Sequence, residues 1–345
     1  MTRLDTPAGS PAGQSGASAR RRRADIAVIA ACWLCLNATV LLLSAGHLPF
    51  RASSLARPPT AEILIRPNLM LLEVVGLMAV VWLMTRRRTV PDLAGRAPDR
   101  RRAARETLAL LGYGVLAQLG GLILGRALGW HAFGFHLDGM VINTGQQVVP
   151  AEAISWASYN LICYAVLPLI IFRRRYSTTQ LGLRSSDRRA DLILVLVILV
   201  LESSVQLLTS PHSVFDLEPR QILIGAPLTF LLSFGGTVAP TMIFVYAILL
   251  PRYLKLTGSV PPTVALGGLT YAGLHVMDGW TNFTTPTDAV LSVLFAILFY
   301  GGPGMFKAYI TIRTANAWTH VWAYHAIAPH TLLDTPMFVR IFGIR

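Results

Sequence analysis

Three histidines stand inside or at the edge of apolar stretches of this chain. His275 closes Leu266-Gly-Gly-Leu-Thr-Tyr271-Ala-Gly-Leu-His275, and His320 and His325 lie in Asn316-Ala-Trp318-Thr-His320-Val-Trp322-Ala-Tyr324-His325. An ionisable side chain in hydrocarbon is costly, so each is by default a candidate functional residue. Two carboxylates have similar surroundings: Glu73 in Leu71-Leu72-Glu73-Val74-Val75 and Glu202 in Val200-Leu201-Glu202-Ser203-Ser204. Glu73 reads as an interhelical hydrogen bond. Glu202 reads equally as such a bond or as a base that activates water.

Helical spacing selects among these residues. Tyr271 and His275 are four apart and share a face, and Asp278 follows three residues later. His320 and His325 are five apart, about 140° around an α-helix, and should not reach one small site. Trp318, Trp322 and His325 fall on one α-helical face, and His330, behind Pro329, falls outside the helix. The expected centre therefore takes one histidine from each of two helices, His275 and His325, with Glu202 as the candidate base. Tyr271, Asp278, Asn316, Trp318 and His320 are the expected binding residues around it. A metal could draw on His275, Asp278 and His325, but no H-E-x-x-H or comparable ligand spacing exists. The expectation is no metal and no cofactor.

The elements that must position these groups are membrane helices. The chain has 345 residues, 53% of them hydrophobic and only 14% charged, with mean hydropathy +0.53. Soluble domains carry about 25% charged residues. Apolar runs fall near 25–46, 68–85, 107–128, 151–172, 190–209, 222–250, 261–277, 287–302 and 305–328. The fold class expected is an all-α integral membrane protein, a polytopic bundle of about eight or nine transmembrane helices. The run 222–250 is too long for one straight span and contains Gly235-Gly236 and Pro240, so it should kink. No other span reads as clearly broken. The organisation expected is a disordered basic tail over 1–24, N-terminal helices over 25–150, a core over 151–330 and a C-terminal tail over 331–345. The run after the arginines is long and lacks a small-residue cleavage site, unlike a signal peptide. Cys32-Trp-Leu-Cys35 lies within the first run, and with no second pair it reads as two small apolar side chains.

The formal charge of +13 does not point to nucleic acid, because the arginines cluster between apolar runs. Arg20 to Arg23, Arg86 to Arg88, Arg100 to Arg102, Arg173 to Arg175 with Arg184, Arg188 and Arg189, and Arg252 all fall on one side if the N-terminus is cytoplasmic. Only Lys255 and Lys307 are lysine, a bias typical of a GC-rich bacterial genome. The expected location is a bacterial plasma membrane, with membrane lipids and a membrane protein or lipid-modified peptide as partners.

From about 160 onward the chain resembles the CPBP family of CAAX prenyl-protease and bacteriocin-processing membrane proteins. Arg173-Arg174-Arg175-Tyr-Ser-Thr-Thr-Gln-Leu181-Gly182-Leu183-Arg184 is similar to the basic loop with "LGLR" that precedes the family's core. Tyr271-Ala-Gly-Leu-His275 is similar to its F-x-x-x-H motif. Thr314-Ala-Asn316-Ala-Trp318, leading to His325, is similar to the "TGSIW…H" stretch that opens its last motif. The resemblance implies an intramembrane peptidase in which an E-E-x-x-x-R pair of glutamates activates water, and later histidines polarise the scissile carbonyl.

At the decisive place the chain departs from that pattern. It contains no Glu-Glu, and alignment on Met242-Ile243-Phe244 puts Pro240 and Thr241 at the glutamate positions and Val245 at the arginine. Pro329 stands four residues after His325, where the family has Asn or Asp. Three functions follow. The leading one is a pseudoenzyme that keeps the cavity and binds a membrane partner or peptide. The second is an active intramembrane endopeptidase rebuilt on Glu202. The third is a small ion or solute transporter, which the lack of paired broken helices disfavours.

Overall fold

The computed structural model describes residues 11–50, 59–138, 140, 147–210 and 212–345. Among them the chain is helical throughout, with no strand. Seven helices are long and apolar enough to cross a membrane. They are α1 (Pro11–Leu43), α2 (Thr60–Thr85), α3 (Arg100–Ala127), α4 (Pro150–Arg173), α5 (Arg188–Thr209), α6 (Pro219–Thr257) and α8 (Pro286–Thr314). Between the last two lies the shorter α7 (Val260–Leu274). A broken segment over 318–341 closes the chain.

The outward faces of the long helices are apolar. Leu34 and Leu42 of α1, Leu108 and Leu116 of α3, and Leu192 and Val200 of α5 are all exposed, while Glu202, His275, Lys307, His320 and His325 are buried. Apolar outside and polar inside reverses the pattern of a water-soluble core.

Two corrections concern the elements. The stretch 1–24, expected to be a disordered tail, lies outside the described residues up to 10, and from Pro11 the chain is already helical. Its Ala- and Arg-rich part propagates from the span behind it, and both residues are good helix formers. The expected boundary between spans at 302–305 is also absent. Gly301-Gly302-Pro303-Gly304 continues α8 without a break. These glycines mark contact with α7: a Cβ built on Gly304 would lie 2.9 Å from the Gly268 Cα and 2.7 Å from the Tyr271 Cβ. The helices meet backbone to backbone, as small residues allow in membranes. Residues 305–314, expected in the last span, therefore belong to α8.

More segments are broken than the one expected. Besides α6, π-helical turns interrupt α4 at Leu161–Val166 and the last segment at Val321–His325 and Ala328–Leu333. In α6 they occupy Phe234–Val238 and Met242–Leu249. Each stretch is followed within a few residues by a proline: Pro168, Pro240, Pro251, Pro329 or Pro336. A proline ring excludes the carbonyl four residues back and offers no N–H, and a wider turn ahead of it relieves both problems.

The helices alternate so that the arginine clusters gather at one end. There Arg21 donates to the Thr257 carbonyl, Arg100 to that of Leu256 and Arg96 to that of Ala315. Arg88 pairs with Asp191 at 2.7 Å. Arg252 is buried, pairs with Glu106 at 2.6 Å and lies over the rings of Phe172 and Tyr176. Gly182, in the left-handed conformation, accepts the Ala317 N–H at 2.8 Å. The Leu181-Gly182-Leu183-Arg184 loop thus clamps the start of the last segment. At the opposite end Asn282 donates to the Pro49 carbonyl and Gln221 to that of Ile344.

Candidate functional site

The site begins where α7 ends. His275 leaves helical geometry, the chain turns, and Asp278 returns so that His275 Nδ1 stands 3.1 Å from Asp278 Oδ2. Tyr300 of α8 donates its hydroxyl to the same oxygen at 2.9 Å. The Tyr300 and His275 rings stack at 3.9 Å. Tyr271, one turn before His275, meets its ring edge-on at 4.6 Å.

A third group, His136, reaches the carboxylate from a connection that sequence analysis left in the outer loops. Its backbone N–H donates to Asp278 Oδ1 at 3.0 Å. Its Nδ1 lies 3.4 Å from Asp278 Oδ2, and its ring stacks on that of His275 at 4.4 Å. The connection folds inward because Trp156 and Asn160 of α4 both donate to the Gly134 carbonyl at 2.8 Å. Phe133, Phe135 and Leu137 are buried with it. Gly134 is required: a Cβ there would lie 2.8 Å from the Asp278 Cα.

The last segment forms the facing wall, and its local geometry is not the α-helix that the sequence analysis assumed. His320 and His325 were placed on different faces by α-helical geometry. The chain between them is π-helical, with the Ala326 N–H donating to the Val321 carbonyl five residues back at 2.8 Å. In such a helix residues five apart nearly align. The His320 and His325 rings are 6.0 Å apart, and those of His325 and His330 are 5.0 Å apart. His330, expected outside, is buried, holds Asp334 at 2.9 Å and lies 5.1 Å from His136 ring to ring. His325 Nε2 faces the Tyr271 hydroxyl at 3.4 Å.

Between these walls lies a cavity of about 680 Å³ that runs from Ser210, Asp216 and Arg340 past His136, Tyr300, His330 and His325 to Lys307 and Glu202. Met70, Phe299, Leu333 and Met337 supply apolar lining. Its outer part belongs to the end opposite the arginine clusters. His275 and Asp278 stand behind Tyr271 and Tyr300, which line it.

Lys307 Nζ sits 3.7 Å from the centroid of the Tyr271 ring. Glu202 accepts from Gln206 at 2.9 Å, with Glu73 of α2 in its vicinity. Each of these two carboxyls has a buried oxygen that no donor reaches. His275 is thus oriented by Asp278, not by Glu202.

Tyr271, His275, Asp278 and His325 come together. Asn316 and Trp318 do not join them. Asn316 donates to Asp191 at 2.9 Å near the arginine end. Trp318 stacks on Trp322, which in turn stacks on Phe230 and Phe234. The widened turn carries His325 away from the face that Trp318 and Trp322 share. His320 packs on Tyr246 at 4.5 Å, and neither of its ring nitrogens has a hydrogen-bond partner. Pro240 and Thr241 are both buried, and neither offers a base.

A His–Asp couple beside an aromatic wall can hold a proton or accept a cation. Comparison of the chain with family models, with curated proteins and with solved structures finds no match.

Proposed function

We propose that the chain is a CPBP-like protein of a bacterial plasma membrane. In this reading the peptidase chemistry is lost, and the cavity persists as a binding site for a segment of a membrane partner or a lipid-modified peptide. The membrane is crossed nine times: by the seven long helices, by α7 and by the broken segment 318–341. The N-terminus is cytoplasmic and the cavity faces outward. The observation that carries the reading is a contrast within one bundle. Tyr271 and His325 line a cavity of mixed character, with His275 behind Tyr271, while Pro240 and Thr241 align with the positions of the family's glutamates. The contact between the Gly182 loop and Ala317 agrees with it, because it joins two of the stretches that carry the resemblance.

A mixed lining suits a ligand with both an apolar and a polar part. Phe299, Met70 and Met337 would take the apolar part. Arg66, Arg340 and Lys307 also line the cavity and favour an anionic or carbonyl-rich part.

A second reading rests on a separate observation: Glu202 lines the cavity with a buried carboxyl oxygen that no donor reaches. A carboxylate within reach of a bound water can act as a general base, so a rebuilt hydrolase would centre there. Incubation of the purified protein with leader-type and lipid-modified peptides, followed by mass spectrometry, separates the readings. No product is expected. Turnover that disappears in Glu202→Gln and in His275→Ala would establish the rebuilt enzyme instead.

A further inference from the structure

We propose that His136, His275 and Asp278 form a binding site for one divalent first-row transition ion, with zinc as the simplest fit. This inference is independent of what the cavity binds as a ligand.

Asp278 Oδ2 has His275 Nδ1 at 3.1 Å, His136 Nδ1 at 3.4 Å and the Tyr300 hydroxyl at 2.9 Å. The side chain of Asp278 is 1% exposed. Three polar groups thus converge on one atom of a buried carboxylate.

The spacing matches a coordination sphere. Zinc binds imidazole nitrogen at about 2.0–2.1 Å and carboxylate oxygen at about 2.0–2.2 Å. Tetrahedral angles then put neighbouring ligand atoms about 3.3–3.5 Å apart. One His–Asp separation, 3.4 Å, falls in that range and the other, 3.1 Å, just below it, and the three ligand atoms all lie within 4.8 Å of one another. Among the described residues this is the only such group. Two neutral imidazoles and one carboxylate also form a donor set common to zinc, iron and manganese sites. His325, the third ligand considered from the sequence, faces the Tyr271 hydroxyl instead.

The surroundings hold the ligands in place. The His136 N–H fixes the far carboxylate oxygen at 3.0 Å, an outer-shell contact of the kind that orients metal-binding carboxylates. His275 Nε2 has no hydrogen-bond partner and its ring is boxed by Phe135 and Tyr271, so Nδ1 is its usable nitrogen. The open position lies toward Tyr300. Its hydroxyl is 3.2 Å from His136 Nδ1, and the residue lines the cavity by which an ion would enter.

The test uses the full-length protein in detergent, stripped with a chelator and titrated with Co²⁺ and with Zn²⁺. One Co²⁺ per chain with visible bands of tetrahedral intensity is expected, displaced by one Zn²⁺. Asp278→Asn, which keeps the side-chain shape, should weaken Zn²⁺ binding at least 100-fold. Tyr300→Phe should weaken it about tenfold, and His320→Ala should leave it unchanged. Wild-type protein that shows no such bands at one Co²⁺ per chain overturns the proposal without reference to any variant. Binding that survives both Asp278→Asn and His275→Gln, or that is lost on His212→Ala at the exposed rim, overturns it as well.

Discussion

Replacement of Gly304 by alanine should open the bundle at the seam that positions Tyr271 and His275. The added Cβ would stand 2.7 Å from the Tyr271 Cβ and 2.9 Å from the Gly268 Cα. Neither neighbour is the end of a flexible side chain, so α7 and α8 must move apart. Overpacking of this kind costs about 1–3 kcal/mol. Alanine returns about 0.5–1 kcal/mol of helix stability relative to glycine, which leaves a net loss of about 1–2 kcal/mol. Gly302 is the internal control: a Cβ there meets nothing nearer than 3.7 Å, so Gly302→Ala should be neutral or gain the propensity term alone. Unfolding of both variants in mixed micelles by a graded denaturing detergent, followed by tryptophan fluorescence, compares them directly. The predicted gap is about 2 kcal/mol. If Gly304→Ala is as stable as Gly302→Ala, close backbone contact does not hold this seam.

Arg252→Ala should destabilise by about 1–3 kcal/mol, because Glu106 loses its buried partner but keeps Arg102 at 2.9 Å and the Tyr176 hydroxyl. Combining Arg252→Met with Glu106→Gln should recover part of that loss, with the same unfolding assay as the readout. His320→Phe should change stability by less than about 1.5 kcal/mol, since the ring only packs on Tyr246 and a shape-conserving swap is tolerated. His330→Phe, which leaves Asp334 without its partner, should cost more. With the native cysteines replaced, Ser210→Cys should react with an impermeant maleimide in intact cells, and Ser185→Cys only after permeabilisation. The opposite pattern reverses the orientation.

Much of the bundle was legible because its signals are local. Apolar runs of about 20 residues mark the long helices without any tertiary information. The relation of Tyr271, His275 and Asp278 was equally legible, since it depends on one helix and the turn after it. The last segment was not, because the wrong period was applied to it. His320, His325 and His330 are five apart, a spacing that scatters residues on an α-helix and aligns them on a π-helix. Pro329 and Pro336 were the available hint of widened turns. His136 was missed because only residues within apolar runs were considered. Phe133, Phe135 and Leu137 around it were signs of a connection that folds inward. Tyr300 and Lys307 reach the site through the glycine seam between α7 and α8, a contact that local periodicity does not encode.

The central claim is that the cavity binds and does not cut. It is tested most directly by fluorescence anisotropy of a labelled lipid-modified peptide against the purified full-length protein. Three forms are compared: wild type, Leu333→Trp inside the cavity and Leu192→Trp on the lipid-facing surface. The account predicts saturable binding to wild type and to Leu192→Trp. It predicts at least tenfold weaker binding to Leu333→Trp, equivalent to a loss of about 1.4 kcal/mol, with the peptide recovered intact from all three. Equal affinity in all three forms, or peptide cleaved by the wild type, would contradict it.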